Sequence, residues 1–199
     1  SPPLRFAVNV DSGSSNLDIE GIGCTGCNPK LPNNAYDPHH SKTSKIGTPP
    51  TFSNSYLTCD LKNMTARCTG SGDVYEDEVS IGSLGPVRVQ FGSIKKMTPN
   101  SDQWKVITGV MGFIGNGNRN VFAQLVKNHV VKPIFAICFN NNGTKSNGTL
   151  TLGGVDPNLY LGTMKYVPRK GHFFGVDVKS FNIGVNDTTI GSLTRQAIL

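Results

Sequence analysis

The stretch Phe6-Ala7-Val8-Asn9-Val10-Asp11-Ser12-Gly13-Ser14-Ser15-Asn16-Leu17 constrains this chain more than any other. An apolar strand runs straight into an acidic residue, a small hydroxyl-rich turn follows, and a second strand begins. A carboxylate at the end of a buried strand is costly unless hydrogen bonds hold it. Ser12 and Ser14 offer hydroxyls, while Gly13 admits close backbone approach and exposes amide donors. The arrangement suits an Asp11 that is ionised, or shares a proton, inside a cleft. The plainer reading of the same residues is a hairpin turn with a capping aspartate, so the rest of the chain has to decide.

The chain has 199 residues, enough for one large domain or two small ones. With 23 glycines, recurrent turn residues and few stretches of helical period, it reads as mostly β with many short strands. No run of about 18 apolar residues occurs, so no membrane span is expected. No leader peptide is visible, and the abrupt start at Ser1-Pro2-Pro3 is what a processed or truncated product would show. The net charge of +6 is scattered, with no basic block interleaved with aromatics, which argues against nucleic-acid binding. The five cysteines, Cys24, Cys27, Cys59, Cys68 and Cys138, accompany glycosylation sequons at Asn63, Asn142, Asn147 and Asn186. Together they favour a secreted or lysosomal/vacuolar protein of the secretory pathway.

Along the chain, Leu4–Val10, Asn16–Ile22 and Val87–Ser93 read as strands. Cys24-Thr25-Gly26-Cys27 admits three readings. A zinc site would want a second pair of matching spacing, which Cys59 and Cys68 do not supply. A redox site would want a helix opening at the second cysteine, where Asn28-Pro29 reads as loop. A small structural disulfide loop is the third. Cys59 and Cys68 enclose the Asn63 sequon and are themselves compatible with a disulfide. His39 and His40 fall in a turn with no acidic or thiol partner spaced to complete a metal site. Asn120–Val131 is the clearest helix: Phe122, Leu125, Val126 and His129 share a face, Asn120 caps it and Pro133 lies beyond. His129 is expected to pack at the core edge. Pro133–Asn140 is expected to be a buried strand with Cys138 as a small core residue.

Several ordered segments together carry a resemblance. Asp11-Ser12-Gly13-Ser14-Ser15-Asn16-Leu17, Ala35–Ser44, Thr69–Leu84, Phe91-Gly92, Val106–Phe113, Thr149–Asp156 and Leu161–Pro168 resemble, in order and spacing, the motifs of the pepsin-like aspartic proteases. The resemblance implies a mostly β, pepsin-like acid-protease barrel lobe from a bilobal fold. Residues 1–168 would form the N-terminal lobe and 169–199 the beginning of the C-terminal lobe. In the family a short disulfide loop lies thirteen residues after the first aspartate, where Cys24 stands here, and this supports a structural Cys24–Cys27 bridge. Val106–Phe113 would lie beneath the aspartate loop, its glycines allowing two strands to cross closely.

The implied activity is acid endopeptidase cleavage of peptide or protein substrates by two aspartates and a water, with no metal and no cofactor. Asp11 would be one catalytic carboxylate, with Ser12, Gly13 and Ser14 in support; Ser14 would hydrogen-bond the Asp11 carboxylate. Gly70, Ser71 and Gly72 would belong to the flap hairpin that gates the cleft. Two departures stand out. Asp18 occupies the place after Asn-Leu where the family usually has an aromatic under the flap. The flap tyrosine aligns with Thr65 or Arg67. No second Asp-Ser/Thr-Gly occurs, so a further segment or chain would have to complete the second lobe and supply the second aspartate. The rival class is a catalytically silent, protease-like binding or structural protein. A glycan- or anion-binding β-domain would rest on charge and sequons alone.

Overall fold

The computed structural model describes residues 3–27, 34–57, 67–98, 107–141, 146–178 and the strand segments 182–183, 188–189 and 195–198. Backbone packing divides the chain into two compact units, Ser1–Val131 and Lys132–Leu199. The first carries strands β1 (Val8–Asp11), β2 (Leu17–Thr25), β3 (Lys45–Leu57), β4 (Arg67–Ile81), β5 (Leu84–Thr98) and β6 (Gly109–Gly112), followed by helix α1 (Val121–Lys127). The six strands form one sheet in the order β1-β6-β2-β5-β4-β3. In the second unit β7 (Phe135–Asn141) and β8 (Ser146–Leu152) form an antiparallel hairpin. β9 (Gly175–Val178) pairs with β12 (Arg195–Ile198), and β10 (Asn182–Ile183) with β11 (Thr188–Thr189). The fold is mostly β, as the glycine-rich, helix-poor sequence predicts.

The first unit's core follows strand alternation. Val87, Val89 and Phe91 of β5 point to the buried side, joined by Leu17, Ile19, Val74 and Ile94. A second apolar group, Cys68, Ile94, Met97 and Val110, has Cys24, Cys27, Phe52 and Tyr56 packed against it. β6 is buried along its whole length. It runs parallel to β1, pairing Val8 with Gly109 and Asp11 with Gly112, and antiparallel to β2. The expected close crossing is present. A Cβ on Gly112 would lie 2.5 Å from the Ser14 carbonyl and 2.6 Å from the Asn16 nitrogen, both backbone atoms that cannot swing aside.

Three expectations are corrected. β1 begins at Val8, not Leu4, and Leu4 is exposed. The Ala7 N–H donates to the Thr108 side chain at 3.0 Å instead of to a strand carbonyl, so the regular ladder starts one residue later. The helix starts where predicted, with Asn120 Oδ1 accepting from the Ala123 N–H at 2.9 Å, but it stops at Lys127, well before Pro133. The Asn128 side chain donates to the Gln124 carbonyl at 2.8 Å, and His129 takes a left-handed φ of 58°. This closure turns His129 into solvent instead of onto the core edge. Cys138 is only half-buried, between the exposed Ile137 and the 86% exposed Phe139. Among the described residues its strand pairs with β8 alone, so the hairpin's faces have little described cover within their unit. Among the described residues no helix is long and apolar enough to cross a membrane.

The turn before β3 is pinned to β4 through Asp77. Its carboxylate accepts from the Thr43 hydroxyl at 2.5 Å, the Tyr36 hydroxyl at 2.9 Å and the Glu78 N–H at 2.8 Å. Burial pushes the Asp77 carboxyl up, but these donors, with the Ser41 hydroxyl, outweigh it and hold its pKa below the usual value. A depressed carboxylate adds stability that is complete above its unfolded pKa, about 4, and that is lost as pH falls through the lower folded value. Asp77→Asn should therefore destabilise the protein by about 1–3 kcal/mol at pH 7. The gap between wild type and variant should narrow as pH falls below about 4. Urea denaturation across pH checks this; a gap that stays constant to pH 2 contradicts it.

Candidate active site

Asp11 is the last residue of β1, and Ser12 and Gly13 form the turn that follows it. β1 delivers the half-buried Asp11 side chain to the sheet's end, and the neighbouring segment fixes the turn by its backbone. The Phe113 N–H donates to the Asp11 carbonyl at 3.0 Å, the Ile114 N–H to the Ser14 carbonyl at 2.9 Å and the Gly112 N–H to the Asn16 carbonyl at 2.9 Å. The Gly13 N–H donates to Asp11 Oδ1 at 2.8 Å, the amide contact expected of that glycine. Ser14 differs from expectation. Its hydroxyl is buried and makes no hydrogen bond among the described residues. The carbonyl bond to Ile114 sets the residue's orientation along the neighbouring segment, and the hydroxyl does not reach Asp11. What the turn can do chemically is present one carboxylate, oriented by one amide, at the end of a rigid strand.

Gly70, Ser71 and Gly72 are not at a hairpin tip. They lie inside β4, where Gly70 pairs with Asn54 and Met97, Ser71 with Ser53 and Lys96, and Gly72 with Phe52 and Ile94. Strands on both sides take up their backbone groups, which leaves them little capacity to bind an extended peptide directly. Residues 58–66, between β3 and β4 in sequence, lie outside the described residues, and with them Cys59, Asn63 and Thr65. Cys24 and Cys27 are disulfide-bonded. Cys68 is buried and also disulfide-bonded. Asn147 is exposed on β8, while Asn142 and Asn186 lie outside the described residues. Among the described residues no three His, Cys, Asp or Glu side chains gather as a metal would need.

Asp18, the departure that follows Asn16-Leu17, is 1% exposed. Its Oδ2 accepts from the Asn54 amide at 2.5 Å and from the Tyr56 hydroxyl at 2.6 Å, while Arg119 forms an ion pair with Oδ1. The Arg119 guanidinium also lies over the Phe52 ring, 4.7 Å from its centroid. Burial, then the Asp18 charge, push the Tyr56 phenol far above its ordinary pKa, so it stays a hydrogen-bond donor at every working pH. Sequence reading identified the substitution at Asp18 but missed Asn54, Tyr56 and Arg119. Phe52, Asn54 and Tyr56 recur at every second residue, which was a usable sign of one shared strand face. Arg119 lies 101 residues from Asp18 and gave no such sign.

A mostly antiparallel β unit that presents a strand-end aspartate in a Ser-Gly turn, backed by a glycine-bounded inner strand, defines the lobe class of the acid proteases. A family model described as eukaryotic aspartyl protease matches residues 1–199, and the chain belongs to that family. It is 30% identical to cathepsin E of Cavia porcellus over 176 residues, covering 84% of this chain and 42% of that protein. It is 29% identical to vacuolar protease A of Aspergillus fumigatus over 196 residues, covering 94% of this chain and 46% of that protein. It is 27% identical to pregnancy-associated glycoprotein 2 of Sus scrofa over 175 residues, covering 84% and 39%. The chain thus spans less than half the length of these relatives.

Removing one member of a buried ion pair leaves the other uncompensated. Arg119→Met should cost about 3–5 kcal/mol. Adding Asp18→Asn should cost less than the sum of the two single changes, with a coupling of about 1–3 kcal/mol. Denaturant unfolding of the two singles and the double measures this; additivity within about 0.5 kcal/mol contradicts the pairing.

Proposed function

We propose that the full-length protein is an aspartic endopeptidase acting at acid pH on extended peptide or protein substrates, with Asp11 as one of two catalytic carboxylates. The observation that carries the reading is the half-buried Asp11, oriented by the Gly13 amide and fixed by backbone bonds, in a chain that matches the aspartyl protease family along its whole length. The second aspartate comes from polypeptide outside these residues, which also completes the second lobe. Residues 1–168 belong to the first lobe and 169–199 open the second.

Two facing carboxylates cannot both ionise easily, so the pair shares one proton. The ionised member takes a proton from a bound water, and that water's oxygen attacks the peptide carbonyl. The protonated member donates its proton to the carbonyl oxygen; the proton taken from the water then passes to the peptide nitrogen as the C–N bond breaks, and the former carbonyl oxygen returns its proton to the pair. In this scheme the Gly13 amide orients the Asp11 carboxylate. Ser12 braces the two aspartate loops against each other, and the β3–β4 hairpin gates the cleft.

The compartment is the secretory pathway, ending outside the cell or in a lysosome or vacuole. The Cys24–Cys27 disulfide, the exposed Asn147 sequon and a relative named as a vacuolar protease support this. Asn63, Asn142 and Asn186 are further glycan acceptors in this reading.

A second reading, a silent protease-like binding protein, draws on the buried, charge-paired Asp18 in the place of the family's aromatic and on the Ser14 hydroxyl that does not reach Asp11. One experiment separates the two. The full-length protein is assayed at acid pH against a mixture of unfolded proteins, with and without a peptide that mimics the tetrahedral intermediate, such as pepstatin. Cleavage should be blocked by the mimic, and Asp11→Asn should lower it about 10²–10⁴-fold. An absence of cleavage, or cleavage that Asp11→Asn leaves intact, selects the binding protein.

A further inference from the structure

Among the described residues β3 is the outermost strand of the six-stranded sheet, with a backbone ladder on one side only, to β4. An edge strand of this kind can lift or slip unless side chains hold it down. The side chains that hold it are Phe52, Asn54 and Tyr56, which converge on one buried carboxylate and its counter-ion. Asn54 and Tyr56 donate to the same oxygen of Asp18, and Arg119 occupies the other while covering the Phe52 ring. Space for this meeting exists because residue 92 has no side chain. A Cβ on Gly92 would collide with Asp18 Oδ1 and would lie 2.6 Å from the Phe52 ring.

Asp18 lies on β2, the strand that leaves the Asp11 turn, and Arg119 is tied there too, its carbonyl accepting from the Leu17 N–H at 2.7 Å. The cluster therefore links the edge strand of the hairpin to the strand and turn that hold the candidate catalytic carboxylate. An aromatic at position 18 would give β3 a smooth surface to rest on. A carboxylate gives it two directional bonds to residues i and i+2, stronger than neutral ones because the acceptor is charged. A one-residue slip of β3 would bring Ser53 and Ser55 to that face and lose both bonds.

We infer that Asp18 is a positioning residue: balanced by Arg119, it anchors β3 through Asn54 and Tyr56 and fixes the β3–β4 hairpin in one register against the Asp11-bearing part of the sheet. The consequence for catalysis rests on the endopeptidase reading. A hairpin fixed in advance lowers the ordering cost of seating an extended peptide, so loosening it weakens binding more than chemistry.

The test uses the full-length protein and two variants, Tyr56→Phe and Asp18→Asn. Tyr56→Phe keeps the ring and the Asp18–Arg119 pair, so it decides the matter even where Asp18→Asn fails to fold. Amide hydrogen exchange in residues 51–57 should quicken about tenfold in Tyr56→Phe, as loss of a hydrogen bond to a charge implies, while α1 stays within about twofold of wild type. On a peptide substrate KM should rise about five- to tenfold with kcat within about twofold. Unchanged exchange in 51–57, or equal acceleration in α1, overturns the anchor. Faster exchange in 51–57 with KM unmoved overturns the positioning role. A wild-type protein that cleaves nothing removes the endopeptidase reading, and the exchange result still decides whether the anchor exists.

Discussion

The candidate site depends on one close backbone approach. β6 can lie between β1 and β2, directly under the Asp11 turn, only because Gly112 has no side chain: a Cβ there would meet the backbone of Ser14 and Asn16 at 2.5–2.6 Å. From that approach follow the carbonyl bonds from Asn16, Ser14 and Asp11 to the residues 112–114, and from these the fixed direction of the Asp11 carboxylate. A loop alone would leave such a side chain to sample many orientations. A turn held by three backbone bonds to the end of a buried strand and the two residues after it does not.

Two carboxylates near this part of the sheet are treated in opposite ways. Asp11 is half-buried and accepts from the Gly13 amide, which suits a group that must engage another molecule. Asp18 is closed off, both oxygens taken by an amide, a phenol and a guanidinium. Burying that charge is tolerable only because it is paired and hydrogen-bonded, and it then acts as a specific anchor in place of nonspecific apolar packing. The same sheet thus separates a carboxylate left available for chemistry from one spent on geometry.

Much of this was legible in the residues. Short apolar runs broken by glycine gave the β class, the Phe6–Leu17 stretch gave Asp11 and its turn, and the resemblance of Val106–Phe113 to the family's segment, with its glycines, implied the crossing. Asn120 marked the helix start because a cap is a local interaction. The illegible parts were those set by partners far away. The helix end depended on Asn128 and a left-handed His129, not on the more conspicuous Pro133. The exposure of Cys138 followed from its strand having one ladder neighbour, which an apolar run cannot reveal. Gly70–Gly72 lie inside β4 of the β3–β4 hairpin, enclosed by two neighbouring strands that a glycine-rich segment does not reveal. Arg119 is the extreme case, since its role exists only once the sheet has brought it 101 residues back to Asp18.

The most direct measurement compares Gly112→Ala with Gly117→Ala in the full-length protein, by denaturant unfolding. At Gly117 a Cβ would meet nothing within 4 Å, so that change should stay within about 0.5 kcal/mol of wild type. Gly112→Ala should cost about 1–3 kcal/mol or more, because the Asp11 turn must move off β6 to admit one methyl group. Equal stability of the two variants would contradict the close approach on which the placement of Asp11 rests.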